Sequence, residues 1–91
     1  MLLELHLKKE KNILYLMDGG KIVSRSVWKE KNNMSQRLLL EIDKIIKKNK
    51  LKLNHIKKME VKNNVPASYT TVRIAKTVAK TFNYAVKALV S

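Results

Sequence analysis

The side chains able to do acid–base or metal chemistry in this 91-residue sequence are seven carboxylates and two histidines. A metal-dependent nuclease needs several acidic groups projecting from neighbouring strands, and Glu4 and Glu60 are the acids that suit predicted strands. No third acid accompanies them, and His6 and His55 lack the sequence spacing of a metal-binding pair. The sequence therefore predicts no catalytic, cofactor-binding or metal-binding residue, and it predicts that the acids are solvated or ion-paired.

A nucleophile is the other kind of chemistry to weigh. Cysteine is absent from the sequence, which excludes thiolate nucleophiles, thiolate metal sites and disulfides. A hydrolase built on Ser68 would need a strained, glycine-flanked turn and a nearby base, and the sequence around this serine supplies neither. A helix N-cap explains Ser68 more simply. We therefore expect no cysteine nucleophile and no hydrolase built on Ser68.

Positive charge is the most marked feature of the composition, since 20 basic residues against seven acidic ones give a net charge of +13. Lysines are spread along the whole chain, whereas arginine, which favours bidentate phosphate recognition, occurs at Arg25, Arg37 and Arg73. One interpretation is a solvated, lysine-biased surface. The other is weak electrostatic affinity for RNA, DNA or an acidic protein.

Hydropathy indicates where in the cell the protein lies, and length limits the size of its fold. No apolar run approaches the ~20 residues of a membrane span, and charges follow the start of the sequence too early for a secretory leader. We expect a cytoplasmic protein without a membrane partner. An apolar fraction of 45% is that of a globular chain, and the length fits one small domain, residues 1–91.

The first third of the chain has the pattern of three antiparallel strands between residues 2 and 29. Apolar and polar residues alternate in residues 3–8, residues 13–17 form a short apolar run, and Asp18-Gly19-Gly20-Lys21 is a strong signal for a two-residue hairpin. In the third strand, residues 22–28, we expect Ile22, Ser24, Ser26 and Trp28 to share one face.

The rest of the chain predicts two helices and two further strands. Apolar spacing indicates a helix over residues 34–49, capped by Asn33 or Ser35, with the pairs Glu41–Lys44 and Asp43–Lys47 on its wet side. Residues 56–61 suit a fourth strand, a second helix runs to about residue 86, capped by Ser68 or Thr70, and residues 88–91 suit a fifth strand. The predicted fold is α/β, a mixed sheet of about five strands with two main helices in the order βββαβαβ.

A family resemblance adds to this reading. Residues 66–74 (PASYTTVRI), with the later pairs at 79–80 (AK) and 84–85 (YA), resemble the P-G-S-F-T-G-x-R-x-G…A-K-x-x-x-Y-A segment of TsaB (YeaZ) proteins. Residues 18–23 (DGGKIV) resemble the D-G-K hairpin of that family, and residues 33–39 (NMSQRLL) resemble its H-S-E-x-L-L helix start. The register of this similarity runs through almost all of the chain.

The resemblance implies a fold and a role. It implies the N-terminal lobe of an actin-like, ribonuclease H-like ATPase fold. TsaB is a non-catalytic relative of TsaD, and the two pair in making threonylcarbamoyladenosine beside the anticodon of tRNAs that read codons starting with A. In the family, homotypic and TsaD pairing both pack the two helices of this lobe against the equivalent helices of the partner.

Two departures from the family pattern bear on cofactors. The D-T-S turn that faces nucleotide phosphate in active relatives is replaced by residues 5–10 (LHLKKE), and the G-x-G-P-G-S loop becomes residues 62–68 (KNNVPAS). Glycines let backbone N–H groups approach phosphate closely, so their loss argues against a nucleotide site. With its phosphate loops degraded in this way, the chain is expected to bind no cofactor and to be a scaffold rather than an enzyme. A cryptic ATPase or nuclease is a further alternative, which nucleotide binding would reveal.

The apolar stripe of the first predicted helix is wider than contact with a sheet requires, and the second helix carries small residues that permit close approach of another helix. We therefore expect a partner interface formed by Met34, Leu38, Leu40, Ile42, Ile45, Ala75, Ala79 and Phe82. The partner is a TsaD-like protein or a second copy of the chain, and the sequence leaves both open. The alternative function is a small basic protein that binds tRNA, with expected RNA contacts from Arg37, Arg73, Lys76 and Lys80.

Overall fold

The fold consists of four strands and two long helices. It is described by a computed structural model for residues 1–8, 11–29, 34–63 and 70–90. The elements are β1 (Leu2–Leu7), β2 (Lys11–Asp18), β3 (Lys21–Lys29), α1 (Met34–Lys48), β4 (Met59–Asn63) and α2 (Thr70–Val90), with a short 3-10 turn, Leu53–His55, before β4. The α/β class is confirmed.

The sheet is mixed, as predicted, and its strand order is β3-β2-β1-β4. Antiparallel pairs join β1 to β2 and β2 to β3, while β4 lies parallel to β1 at the opposite edge from β3. The β2–β3 hairpin turns at Gly19 and Gly20, whose φ angles are +58° and +84°. Positive φ at both central residues suits the right-handed twist of the two strands, and glycine adopts it without steric cost.

The core lies between one face of the sheet and both helices. Alternation along β1 and β2 turns a set of leucines toward the helices, and these side chains are fully buried: Leu3, Leu5, Leu7, Leu14 and Leu16. The helices cover this face with Met34, Leu38, Ile42, Ile45, Val72, Ala75 and Ala79. On the opposite face, the His6 and Tyr15 rings are in edge-on contact with their centroids 4.8 Å apart, and His6 Nε2 lies 3.1 Å from Glu4 Oε1.

A β-bulge corrects the predicted face pattern of β3. Leu16 is opposite Ser24 but Met17 is opposite Ile22, so β3 has one extra residue at this point. Since Leu16 and Met17 point to opposite faces, Ile22 leaves the face of Ser24 and is exposed. The prediction that Ile22 shares a face with Ser24, Ser26 and Trp28 is therefore wrong for Ile22.

The predicted fifth strand is also wrong. Residues 88–90 continue α2, which ends at Val90, and the observed order is βββαβα with four strands. The physical reason lies in the sequence, since residues 84–90 contain neither glycine nor proline and include four good helix formers, Ala85, Lys87, Ala88 and Leu89. Nothing there stops a helix that is already nucleated.

Asn83 fastens α2 to the edge strand β4. Its side-chain amide donates to the carbonyl of Met59 at 3.0 Å, and its side-chain oxygen accepts from the N–H of Met59 at 2.6 Å. The amide thus satisfies both outward-facing backbone groups of one residue of an edge strand, as a neighbouring strand would do. This places α2 over the β4 side of the sheet.

Glu41 corrects a second expectation, because the carboxylate of Glu41 is not on the wet side of α1. The residue is 4% exposed. It accepts hydrogen bonds from Ser26 Oγ on β3 at 2.5 Å and from Arg37 Nε at 2.8 Å, and Lys44 Nζ is 3.9 Å away. By contrast, the predicted Asp43–Lys47 pair is an exposed ion pair of 3.0 Å. Glu41 therefore fastens α1 to β3.

Some predicted features lie outside the described residues, and others are shifted along the chain. The caps predicted at Asn33 and Ser68 lie outside them, as do residues 64–68 of the loop expected to have lost its glycines, and Ser35 lies inside α1 rather than before it. The fourth strand is shifted by a few residues from the predicted 56–61 to Met59–Asn63. In the part of the chain that is described, no helix is both long enough and apolar enough to span a bilayer.

Candidate partner-binding groove between the two helices

An apolar groove runs between α1 and α2 on the side of the helices that faces away from the sheet. It is lined by seven residues and has a volume of about 430 Å³. The lining residues are Ser35, Leu39, Thr77, Val78, Thr81, Phe82 and Ala85. Toward the start of α2 the groove continues into a more polar stretch beside Arg73 and Ile74. A continuous apolar groove between two helices can bind a helix from another polypeptide.

The helical period explains why this groove is apolar. In α1, Ser35 and Leu39 lie one turn apart, on the flank next to the face that buries Leu38 and Ile42. In α2, Val78 and Phe82 share the corresponding flank and are half-buried against the core. Leu39 remains 55% exposed. A large exposed apolar side chain beside half-buried ones marks an interaction surface better than an isolated exposed leucine does.

Leu40 does not line this groove. It follows Leu39 by one residue and is therefore rotated by about 100° around α1. It is 47% exposed on the outer side of the helix. Leu39 lines the groove, and it is not among the interface residues predicted from the sequence. Its signal was the four-residue spacing from Ser35, together with the spacing of Val78, Phe82 and Ala85 in α2.

The predicted interface residues fall into two groups. Phe82 lines the groove and Leu40 is exposed beside it, so both side chains are accessible to another molecule. The others are buried within the chain itself, at 6% exposure or less: Met34, Leu38, Ile42, Ile45, Ala75 and Ala79. These six side chains belong to the hydrophobic core, and an interface role for any of the eight stays a prediction.

A stripe of cations follows the exposed side of α2. Arg73, Lys76, Lys80 and Lys87 are exposed, and Tyr84, at 78% exposure, lies among them. Their spacings of three or four residues place all five on one side of a helix, and α2 contains no carboxylate. We call this set the α2 cationic stripe. Tyr84 was missed by the sequence analysis, although its spacing from Lys80 and Lys87 shows its place.

Arg37, the remaining predicted RNA contact, is separate from this stripe. Its Nε donates to Glu41 at 2.8 Å, and its side chain is 41% exposed. The structure therefore brings together three of the four predicted RNA contacts, Arg73, Lys76 and Lys80, and leaves Arg37 beside β3. Contact of any of them with RNA stays a prediction.

The described acids and histidines do not gather into a metal-binding group. Among the described residues, no three His, Asp or Glu side chains are grouped to hold a metal ion. Glu60 is bound by two lysines, with Lys58 Nζ at 2.8 Å and Lys62 Nζ at 3.5 Å. The hydrogen bond and charge of Lys58 lower the pKa of Glu60 and raise the pKa of Lys58. Both shifts follow from an ion pair at the surface.

Comparison with solved structures places this fold. YeaZ from Pseudomonas aeruginosa superposes with a TM-score of 0.78 and 22% identity, covering 94% of this chain and 39% of YeaZ. This chain has the fold of one lobe of YeaZ. A structure described as an uncharacterised protein with similarity to peptidase YeaZ from Pseudomonas aeruginosa matches with the same values. No protein-family model and no curated protein sequence matches the chain.

The match confirms the predicted resemblance to TsaB (YeaZ) proteins at the level of the fold. It also confirms the single-lobe architecture, with four strands in place of five. The chain spans about two fifths of the length of these YeaZ structures. In this chain the helix pair of that lobe carries the groove between α1 and α2.

Proposed function

We propose that this chain is a non-catalytic, TsaB-like scaffold subunit that pairs through α1 and α2 with a TsaD-type enzyme and supports threonylcarbamoyladenosine modification of tRNA. The observation that carries the proposal is an apolar groove, with Leu39 exposed along it, on the helix pair of a YeaZ-type lobe. In this role the lobe supplies a binding surface, and the partner supplies the chemistry.

The size of the chain supports the need for a partner. A chain of 91 residues buries only about 60–65% of the surface of its unfolded form, so extra apolar burial adds usefully to its stability. A specific interface of standard size covers roughly 800 Å² on each side. The groove and the neighbouring exposed leucine provide the apolar centre that such an interface requires.

Co-expression with the TsaD-type enzyme of the same host tests the pairing. We expect a complex that survives size-exclusion chromatography at micromolar concentration, and we expect Leu39→Glu to weaken it by roughly tenfold or more, because the partner would bury a charge. Ile22→Glu is the matched control, since Ile22 is equally exposed but lies outside the groove. If the protein is a monomer that retains no TsaD-type enzyme, the scaffold role is wrong.

A homodimer through the same helices is distinguished by sedimentation. If the chain pairs with itself, Leu39→Glu shifts the protein toward the monomer in the absence of any enzyme. If only the mixed pair forms, the isolated protein sediments as a monomer at all concentrations and the variant changes nothing until the enzyme is added. Either result supports the groove as the interface and identifies the occupant.

The α2 cationic stripe favours a second candidate function, direct binding of tRNA. Four cations without a carboxylate on the same helix attract phosphate, and the exposed ring of Tyr84 is available to stack on an unpaired base. We expect tRNA affinity to fall steeply with salt. Lys76→Gln with Lys80→Gln should reduce the slope of log affinity against log salt by about two.

Lys48→Gln is the control for that experiment, because Lys48 is an exposed lysine on α1 outside the α2 cationic stripe; it should leave the slope unchanged. Tyr84→Ala should weaken binding by about 1–3 kcal/mol without changing the slope, because stacking is not electrostatic. A protein that does not bind tRNA at low salt rules this function out and leaves the scaffold proposal untouched.

A further inference from the structure

The β3 strand is the edge of the sheet on the side away from β4. Within the described residues, β2 is the strand neighbour of β3 and no strand lies beyond it. Every second residue of such a strand directs its N–H and C=O away from the sheet. Exposed edges of this kind pair readily with another extended chain.

The side chains along this edge are cationic and apolar in alternation. Beyond the bulge, Arg25, Val27 and Lys29 lie opposite Tyr15, Ile13 and Lys11, on the face of the sheet that the helices leave open. All three are exposed, and Val27 is 50% exposed. No described carboxylate lies within 4.0 Å of either cation. β3 itself contains no acid.

The helix side of the same edge is cationic as well. Glu41 receives a hydrogen bond from Ser26 of β3, and Arg37 and Lys44 both bind Glu41. These two cations therefore lie beside the β3 edge, on the opposite face from Arg25 and Lys29. A strand added to β3 would meet positive charge on both of its faces, against a single described carboxylate.

The charges argue against a second copy of this chain as the added strand. An antiparallel pair of β3 strands centred on Val27 sets Arg25 opposite Lys29, and one centred on Arg25 sets that arginine opposite itself. Like charges directly opposite destabilise a sheet. Registers that avoid this set a cation opposite Val27 and lose the apolar pair. The edge thus discriminates against self-pairing.

We infer that the β3 edge, formed by Arg25, Val27 and Lys29 with Arg37 and Lys44 of α1, binds an acidic extended peptide by strand addition. The peptide carries acids at alternate positions around a β-branched residue, so that acids face Arg25 and Lys29 and the apolar residue faces Val27. A further acid on its other face meets the cations of α1. Backbone pairing with β3 supplies the affinity, and the charges select the partner.

The probe is a blocked seven-residue peptide, Thr-Glu-Glu-Val-Thr-Glu-Thr, titrated into ¹⁵N-labelled protein. We expect the amide shifts to concentrate in β3 and to leave the α1–α2 groove unchanged. A peptide of the same composition with its three acids placed together should bind more weakly, and so should one with proline at the central position, since proline removes a donor. Shifts in the groove instead of β3 would overturn the inference.

A charge reversal tests the pairing itself. Arg25→Glu should weaken peptide binding by roughly fivefold or more, since one favourable cross-strand pair becomes repulsive. When the peptide pairs antiparallel to β3, its last glutamate faces position 25. A peptide with lysine in place of that glutamate should therefore recover affinity for this variant. Lys80→Glu, on α2, is the matched control and should leave peptide binding unchanged. The buried Trp28 reports by its fluorescence that the variant is folded.

RNA is the alternative ligand for a cationic edge, and the same titration separates it. If a seven-nucleotide oligouridine displaces the peptide and the clustered-acid peptide binds as well as the patterned one, the edge is an unspecific anion surface and strand addition is wrong. This result would leave the helix groove and its partner unaffected, because the inference does not depend on the proposed function.

Discussion

Replacing Glu41 by alanine should destabilise the fold by about 2–3 kcal/mol. The carboxylate is 4% exposed and accepts hydrogen bonds from Ser26 Oγ at 2.5 Å and Arg37 Nε at 2.8 Å. A hydrogen bond that involves a charged group contributes about 1.5–3 kcal/mol. The Arg37 side chain is 41% exposed and is rehydrated when its partner is removed. The Arg37–Glu41 ion pair therefore contributes free energy at the lower end of the range for surface ion pairs.

The measurement is urea unfolding followed by the fluorescence of Trp28, which is buried in the core. A loss of 2–3 kcal/mol corresponds to a fall in melting temperature of roughly 8–24 °C for a domain of this size. Asp43→Ala is the matched control, because Asp43 is an exposed acid of the same helix whose ion pair with Lys47 is solvated. It should change stability by less than about 0.5 kcal/mol.

A double-mutant cycle assigns the effect to the contact between α1 and β3. Ser26→Ala and Glu41→Gln, made singly and together, should give a coupling energy of about 1 kcal/mol, as neighbours in one hydrogen-bond network do. If Glu41→Ala costs less than about 0.5 kcal/mol, or if the two changes are additive, the carboxylate does not fasten the helix to the sheet and the argument from burial is wrong.

Three further outcomes are expected. Asn83→Ala should destabilise β4 by about 2 kcal/mol, because both backbone groups of Met59 lose their partner, and hydrogen exchange at the Met59 amide should become faster; unchanged exchange would contradict this. Gly20→Ala should cost about 1 kcal/mol in thermal unfolding, since its φ of +84° is unfavourable for a residue with a side chain; an equal or higher melting temperature would contradict that assignment. The pKa of Glu60, measured by ¹³C NMR, should lie below its ordinary value and rise in Lys58→Met; because the folded-state pKa is the lower one, the pair stabilises the fold above the ordinary carboxyl pKa and this contribution is lost as the pH falls through the lowered value.

Local patterns were sufficient for most of the fold. Alternation identified β1, and the glycine pair placed the β2–β3 turn, because these signals depend on neighbouring residues only. The bulge at Val23 escaped prediction, since it depends on how β3 pairs with β2 and leaves no mark in β3 itself. The fifth strand failed for a related reason: residues 88–90 suit either structure, and the helix already formed before them decides.

Position along a helix proved more informative than residue type. Glu41 was assigned to solvent because it is charged, although it lies three residues after Leu38 and four before Ile45, within the buried arc of α1. The partners Ser26 and Arg37 permit that burial, and Ser26 is distant in sequence. For the same reason, the sequence showed that α1 has more apolar surface than a sheet needs, but could not assign Leu38 to the core and Leu39 to the groove.

The distribution of charge gives the net value of +13 a structural meaning. The acids of α1 and β4 are paired within the chain, as Glu41, Asp43 and Glu60 show. β3 and α2 contain cations but no acids. They lie at opposite ends of the sheet, because β3 is one edge strand and α2 is bonded through Asn83 to β4, the other edge strand. This distribution leaves cations without acids along β3 and along α2. The acidic strand and the tRNA that we propose as ligands would therefore contact different residues. Salt should therefore weaken both ligands, whereas Arg25→Glu should affect only the peptide and Lys80→Glu only the tRNA.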